Sequence, residues 1–235
     1  MKKILKIKNL NVFFENNQIL KDLNFEIPEN VRCAIVGPNG AGKTTLIRTI
    51  LGLNNDFSGE IEIFGEDFKK VKSKVAYVPQ RKNVDWSFPI TVYDVVKMGT
   101  YDFTKFILKE PEYAKGRTEE SLKLLNMYEF KNTHINDLSG GQQQRIFVAR
   151  ALAQNSDLYI MDEPFTGLDK VSEKTISEIF FKLQEDKKTL ISVHHDWNTL
   201  EKYFDWVIFI NKKLIYNGPI LGSDLKNIFE ETFSF

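Results

Sequence analysis

The sequence predicts an α/β fold with a mainly parallel sheet, an N-terminal antiparallel β layer and an inserted helical subdomain. Three observations carry this expectation. Short runs in the first part of the chain alternate or bunch apolar residues between turn signals, as antiparallel strands do. Four later runs are continuously apolar with helical stretches among them, the pattern of strands buried on both faces of a parallel sheet. A helical stretch lies between the second and third of those runs.

The antiparallel layer is read in "ILKIKNLNVFF", "LKDLNFEI" and "GEIEIFG". The buried strands are "CAIVG" (33–37), "VAYVP" (75–79), "LYIMDE" (158–163) and "TLISVHH" (189–195). In "TVYDVVKMG" (91–99), Thr91 and Asp94 make a capping pair, Val92, Val95 and Val96 share one face, and Gly99 is expected to end the helix. No internal repeat, low-complexity tract or long flexible linker interrupts the chain. Residues 1–235 are therefore expected to form one folded unit, with the helical insertion at about 90–155.

Composition narrows the functional classes. A chain of 235 residues can bury one substantial core. Its 32 Lys and Arg balance 32 Asp and Glu, so no net field attracts nucleic acid or anionic lipid, and no nucleic-acid partner is expected. The single cysteine, Cys33 in "VRCAIV", excludes an internal disulfide and reads as a small buried hydrophobe in a reducing compartment. The start, "MKKILKIKNL", is basic like a signal peptide, but Lys6 and Lys8 break any apolar region long enough to act as one. Apolar runs such as "WVIFI" (206–210) fall far short of the roughly 18 residues that cross a bilayer.

The strongest chemical signal is "GPNGAGKTT", comprising Gly37, Pro38, Asn39, Gly40, Ala41, Gly42, Lys43, Thr44 and Thr45. Gly37-x-x-x-x-Gly42-Lys43-Thr44 follows a buried strand and opens the amphipathic helix "TLIRTILG", the context of a phosphate-binding P-loop. The core is thus expected to be that of a P-loop NTPase. Glycines let successive N–H groups face phosphates, Lys43 supplies a point charge between the β- and γ-phosphates, and the Thr44 hydroxyl ligates Mg²⁺. "LYIMDE" then places Asp162 and Glu163 at the carboxyl end of a strand, where parallel sheets bind ligands. Asp162 is expected to hold Mg²⁺, and Glu163 to polarise the attacking water.

A second run, "LSGGQQQR" (138–145), opens a helix with Ser139, Gly140, Gly141 and Gln142. Two readings are open. Ser139 and Gln142 are spaced for a capping box, which needs no ligand. Gly140 and Gly141 weaken the helix start by up to about 1 kcal/mol each relative to Ala, which fits a backbone that something approaches closely.

"GPNGAGKTT", "LSGGQ" and "LYIMDEPFTGLD", in that order and spacing, resemble the nucleotide-binding subunit of the ATP-binding cassette (ABC) transporter family over nearly the whole chain. That resemblance implies an ATPase that binds ATP and Mg²⁺ and pairs head to tail with a second copy. The Ser139–Gln142 signature of one copy then closes over the γ-phosphate held by the P-loop of the other. It also implies that Gln80 contacts Mg²⁺ and the attacking water, that His195 contacts the γ-phosphate, and that Asp169 belongs to the loop crossing the dimer interface. His194 reads as a buried or capping histidine. Phe14 aligns with the adenine-stacking aromatic, while its neighbour Phe13 points the other way along a strand.

The stretch 79–101, with Trp86 and Phe88, reads either as a docking surface or as aromatics packed under their own loop, and the resemblance implies integral membrane permease subunits contacted around residues 80–99. Its pattern "VDW-x-FP-x-TV-x-DVV-x-MG" is similar to cassettes of bacterial zinc, manganese and iron uptake systems. This implies an importer subunit peripheral to the cytoplasmic face of the cell membrane, with an extracytoplasmic solute-binding protein in the full system. The alternative class is the ATPase of a soluble cassette complex, such as one for iron–sulfur cluster assembly. His194 and His195 lie near the nucleotide motifs, and His134 and Cys33 are isolated, so no dedicated transition-metal site is expected in this subunit.

Overall fold

Alternation in the first sixty positions becomes strands that pair antiparallel, and the continuous apolar runs become strands that pair in parallel. The computed structural model describes residues 2–15, 17–80, 89–101, 112–220 and 225–233. The chain runs β1 (Lys3–Phe14), β2 (Asn17–Pro28), β3 (Arg32–Val36), α1 (Lys43–Ile50), β4 (Phe57–Ile63), α2 (Phe68–Val71), β5 (Val75–Val78), α3 (Val92–Lys97) and α4 (Glu112–Leu124). It continues through α5 (Gly140–Gln154), β6 (Leu158–Met161), α6 (Lys170–Glu185), β7 (Thr189–Val193), α7 (Trp197–Tyr203), β8 (Trp206–Asn211), β9 (Lys213–Pro219) and α8 (Leu225–Phe233). Internal contacts divide it into two units, Met1–Lys72 with Leu183–Phe235, and Ser73–Lys182.

In the first unit, β1 lies between β2 and β4 in an antiparallel sheet. Leu5 and Ile7 pair with Ile27 and Phe25 on one side and with Ile63 and Ile61 on the other, which keeps their apolar side chains on one face. Lys6 stands on the opposite face, between Glu26 and Glu62. The same unit holds the strand order β7-β3-β8-β9, with β3 parallel to both neighbours and β9 antiparallel to β8. Cys33 through Val36 and all of β7 are buried, as strands covered on both faces must be. "WVIFI", too short to cross a membrane, is the body of β8.

The second unit pairs β5 with β6 in parallel, Val75 opposite Leu158 and Val78 opposite Met161. Around them α3, α4 and α5 form the helical part of this unit. Thr91 caps α3 by accepting from the Asp94 N–H, and Val92, Val95 and Val96 are buried, as their spacing predicts. Gly99 acts differently from its expected role. The chain passes through it in a 3-10 turn, Met98–Thr100, and a Cβ at Gly99 would stand 2.0 Å from the Arg150 carbonyl oxygen. Gly99 is a site of close approach to α5 rather than a helix stop. Trp86 and Phe88 lie outside the described residues. Among those described, no helix is long and apolar enough to cross a membrane.

Candidate functional site

Helix starts show most directly where a ligand belongs. The first-turn N–H groups of a helix have no intrahelical acceptor, so a side chain, water or a ligand must serve them. Asp67, Thr91, Ser139, Asp169 and Asp196 provide side-chain caps for α2, α3, α5, α6 and α7. α1 has none: its N-cap is Gly42, in the left-handed region at φ 95°, and no acidic residue stands in its first turn. A Cβ at Gly42 would stand 2.5 Å from Leu20 Cδ2, so a side chain there would be strained in its backbone and would have to displace Leu20.

The rest of the 37–45 loop is held from behind. A Cβ at Gly37 would stand 2.1 Å from the Ile210 carbonyl oxygen, whereas Gly40, at φ +80°, faces open space. The Ala41 carbonyl accepts from the Lys212 N–H at 3.1 Å, and the Ala41 N–H donates to Pro38 O at 3.2 Å. Lys43 is only 7% exposed, and its ammonium donates to Gly37 O at 2.7 Å and Pro38 O at 2.8 Å. Thr44, Thr45 and Pro38 are half-buried, while Asn39 is exposed. An uncapped helix start, its dipole and a buried lysine together form a cradle for an anion, and the residues fit the phosphates of a nucleotide.

Two other candidates sit in this unit. Phe14 is 60% exposed beside the β1–β2 turn, leaving a ring face available for stacking, and Phe13 is half-buried. The two histidines after β7 separate cleanly. The His194 N–H extends the β3–β7 ladder by donating to Ile35 O at 3.0 Å. Its ring is 5% exposed, lies 5.1 Å from that of Phe204, and bonds through Nε2 to Thr199 Oγ1 at 2.9 Å. Thr199 in turn donates to Asp196 Oδ2, while Asp196 Oδ1 caps α7 through the Asn198 N–H. His195 points outward and is exposed.

In the second unit, Asp162 is fully buried at the end of β6, its N–H donating to Val78 O at 2.9 Å. Glu163 follows with φ +50°, an uncommon conformation for a glutamate. Gln80, 83 positions away in sequence, donates from Nε2 to Glu163 Oε2 at 2.7 Å, and Thr166 Oγ1 donates to the same oxygen at 3.2 Å. These two donors set the direction of the carboxylate.

Both open readings of the 138–145 run find support in local geometry. The capping box is complete, with the Gln142 N–H donating to Ser139 Oγ and the Ser139 N–H donating to Gln142 Oε1. It leaves the N–H groups of Gly140 and Gly141, in the first turn, as those the box does not serve. Gly141 is indeed closely approached, but from within its own chain: Ser172 Oγ and Asp169 Oδ2 lie 2.7 and 2.9 Å from where a Cβ would be. Asp169 accepts from the Ser172 N–H (2.8 Å) and hydroxyl (3.0 Å), and these bonds hold its carboxyl below the ordinary range. Thr166 and Ser172 are the functional candidates that sequence reading missed. Thr166 stands within the recognised "PFTGLD" run, but no pattern marks a hydroxyl at 172.

Residues 20–166 match a family model described as ABC transporter. The chain belongs to the ABC transporter family. Among curated relatives of this ABC cassette, it is 44% identical over 220 residues to the manganese transport system ATP-binding protein MntB of Halalkalibacterium halodurans, covering 94% of this chain and 88% of that protein. It is 45% identical over 219 residues to the zinc transport system ATP-binding protein TroB of Treponema pallidum, covering 93% and 82%. A dimeric bacterial ABC transporter cassette superposes with a TM-score of 0.81 at 28% identity, over 93% of this chain and 100% of that one. A cassette in a dimeric post-hydrolysis state, bound to ADP and Pi, gives the same values.

Proposed function

We propose that this chain is the ATP-binding and ATP-hydrolysing subunit of an ABC importer for a divalent transition metal, manganese or zinc. The uncapped start of α1, with buried Lys43 in its first turn, is the observation that carries nucleotide binding. Relatives named as manganese and zinc transport subunits, matching over nine-tenths of the chain, carry the cargo class. They also favour transport over a soluble cassette complex. The metal is cargo for the whole system. As a peripheral subunit, this chain works on the cytoplasmic face, paired with a second copy and docked through residues around 80–99 on permease subunits. A solute-binding protein delivers the metal from outside.

In this reading the N–H groups of the 37–45 loop and Lys43 hold the β- and γ-phosphates, and Phe14 stacks on adenine. Thr44, Gln80 and Asp162 would hold Mg²⁺, which when bound neutralises phosphate charge that develops during transfer. Glu163 takes the proton of the attacking water, oriented by Gln80 and Thr166. Its positive φ fits the role, since a strained backbone persists where surrounding structure holds a reactive group in place. His195 reaches the γ-phosphate from the turn that His194 anchors. Ser139, Gly140, Gly141 and Gln142 serve the γ-phosphate held by the second copy, and Asp169 lies at the interface between copies.

Glu163→Gln tests the reading because it keeps shape and hydrogen bonding while removing the base. Nucleotide affinity is expected to stay within twofold and the ATP-bound dimer to persist, while hydrolysis falls by about 10²–10⁴-fold. A variant hydrolysing at the wild-type rate would remove Glu163 from the mechanism. For the cargo, a permease complex reconstituted with this chain should take up manganese or zinc only with ATP; uptake of neither metal would overturn the importer assignment.

A further inference from the structure

Gly141 lies where two helix starts meet. Ser172 is fully buried, and both its backbone N–H and its hydroxyl go to the Asp169 carboxylate. The hydroxyl oxygen, fixed by that bond, occupies the space beside Gly141, only 2.7 Å from where a Cβ would be. A side chain at 141 must therefore turn Ser172 aside, which costs Asp169 the hydroxyl donor. Conversely, a Ser172 that lets go of Asp169 loses its fixed place against the first turn of α5.

We propose that Ser172 is a positioning residue that ties the LSGGQ run to Asp169, so that the α5 start and the 163–169 turn move as one body. The inference rests on the reading that a second copy completes the nucleotide site. If both segments face that copy, a rigid tie means they arrive already in mutual register. Pairing then orders fewer independent groups and needs less ligand-driven rearrangement. Gly141 is required by its own chain as well as by any phosphate that approaches α5.

The test compares the full-length wild type with Ser172→Ala, Gly141→Ala and the double variant. The per-chain ATPase rate is followed against protein concentration, and a fluorescent ATP analogue measures nucleotide affinity of the dilute chain. Ser172→Ala should raise the protein concentration for half-maximal rate about fivefold, the scale of losing one hydrogen bond of about 1 kcal/mol, and leave dilute-chain nucleotide affinity unchanged. Gly141→Ala should do the same or more, and the double variant should be no worse than the more damaged single, since both break one tie.

Loss of stability alone would lower the melting temperature and the plateau rate per chain in proportion to the active fraction, so half-maximal concentrations are compared after scaling to active protein, where instability alone leaves them unmoved. A half-maximal concentration for Ser172→Ala equal to the wild type, or a double variant whose effect is the product of the two singles, overturns the tie. A wild-type rate per chain independent of concentration overturns the pairing reading itself, and the tie with it.

Discussion

Two alanine substitutions in one loop should separate steric from conformational demand. Gly40→Ala places a methyl in open space, at a position whose φ of +80° an alanine adopts with strain. Its cost is that strain, about 1–2 kcal/mol. Gly37→Ala places a methyl 2.1 Å from the Ile210 carbonyl oxygen, where real contacts begin at 3.0 Å or more, so the loop must move back from β8 by about an ångström. That displacement carries about 1–3 kcal/mol of overpacking, and loss of the Lys43 ammonium bond to Gly37 O adds about 1.5–3 kcal/mol. For a chain of this length each kcal/mol lowers the melting temperature by about 2–4 °C. Gly37→Ala should therefore melt about 5–24 °C below wild type and below Gly40→Ala. Thermal unfolding followed by circular dichroism, without nucleotide so that binding adds no stability, provides the measurement. A Gly40→Ala protein that melts at or below Gly37→Ala would refute the reasoning, as would a Gly37→Ala protein within about 2 °C of wild type.

Burial pushes the Cys33 thiol well above its ordinary value of 9.0, with the Asp205 charge adding to the shift. The folded thiol thus stays protonated while the unfolded one ionises, so its contribution to stability is complete below about pH 9 and falls as pH rises beyond it. Native protein at pH 8 should resist thiol-specific labelling, and Cys33→Ala should remove part of the alkaline decline; rapid native labelling would contradict the burial. His194→Phe keeps an aromatic ring among Tyr203, Phe204 and His195 but loses the Thr199 bond, so about 1–2 kcal/mol of stability should go while most ATPase activity remains. Abolished hydrolysis with an unchanged melting temperature would make His194, rather than His195, the histidine that contacts the γ-phosphate.

Much was legible in sequence order because the relevant forces are local. Alternation in "ILKIKNLNVFF" and continuous burial in "LYIM" report directly which faces meet water, so strand type could be read from them. The capping pairs at Thr91–Asp94 and Ser139–Gln142 were equally legible, since both partners lie within one helical turn. Glycines were the residues most open to misreading. Gly99 looked like a helix stop, and Gly141 left open what approaches it, because sequence shows that a side chain is missing but not what fills its place.

Tertiary structure alone decided those occupants: the Arg150 carbonyl at Gly99, Ser172 and Asp169 at Gly141, and the Ile210 carbonyl at Gly37. It also turned His194 inward to Thr199 and left His195 exposed, and it brought Gln80 onto Glu163. Each of these depends on two segments distant in the chain converging within a few ångströms. Propensity and periodicity act over one or two turns, so they cannot carry that information, whereas close packing enforces it atom by atom.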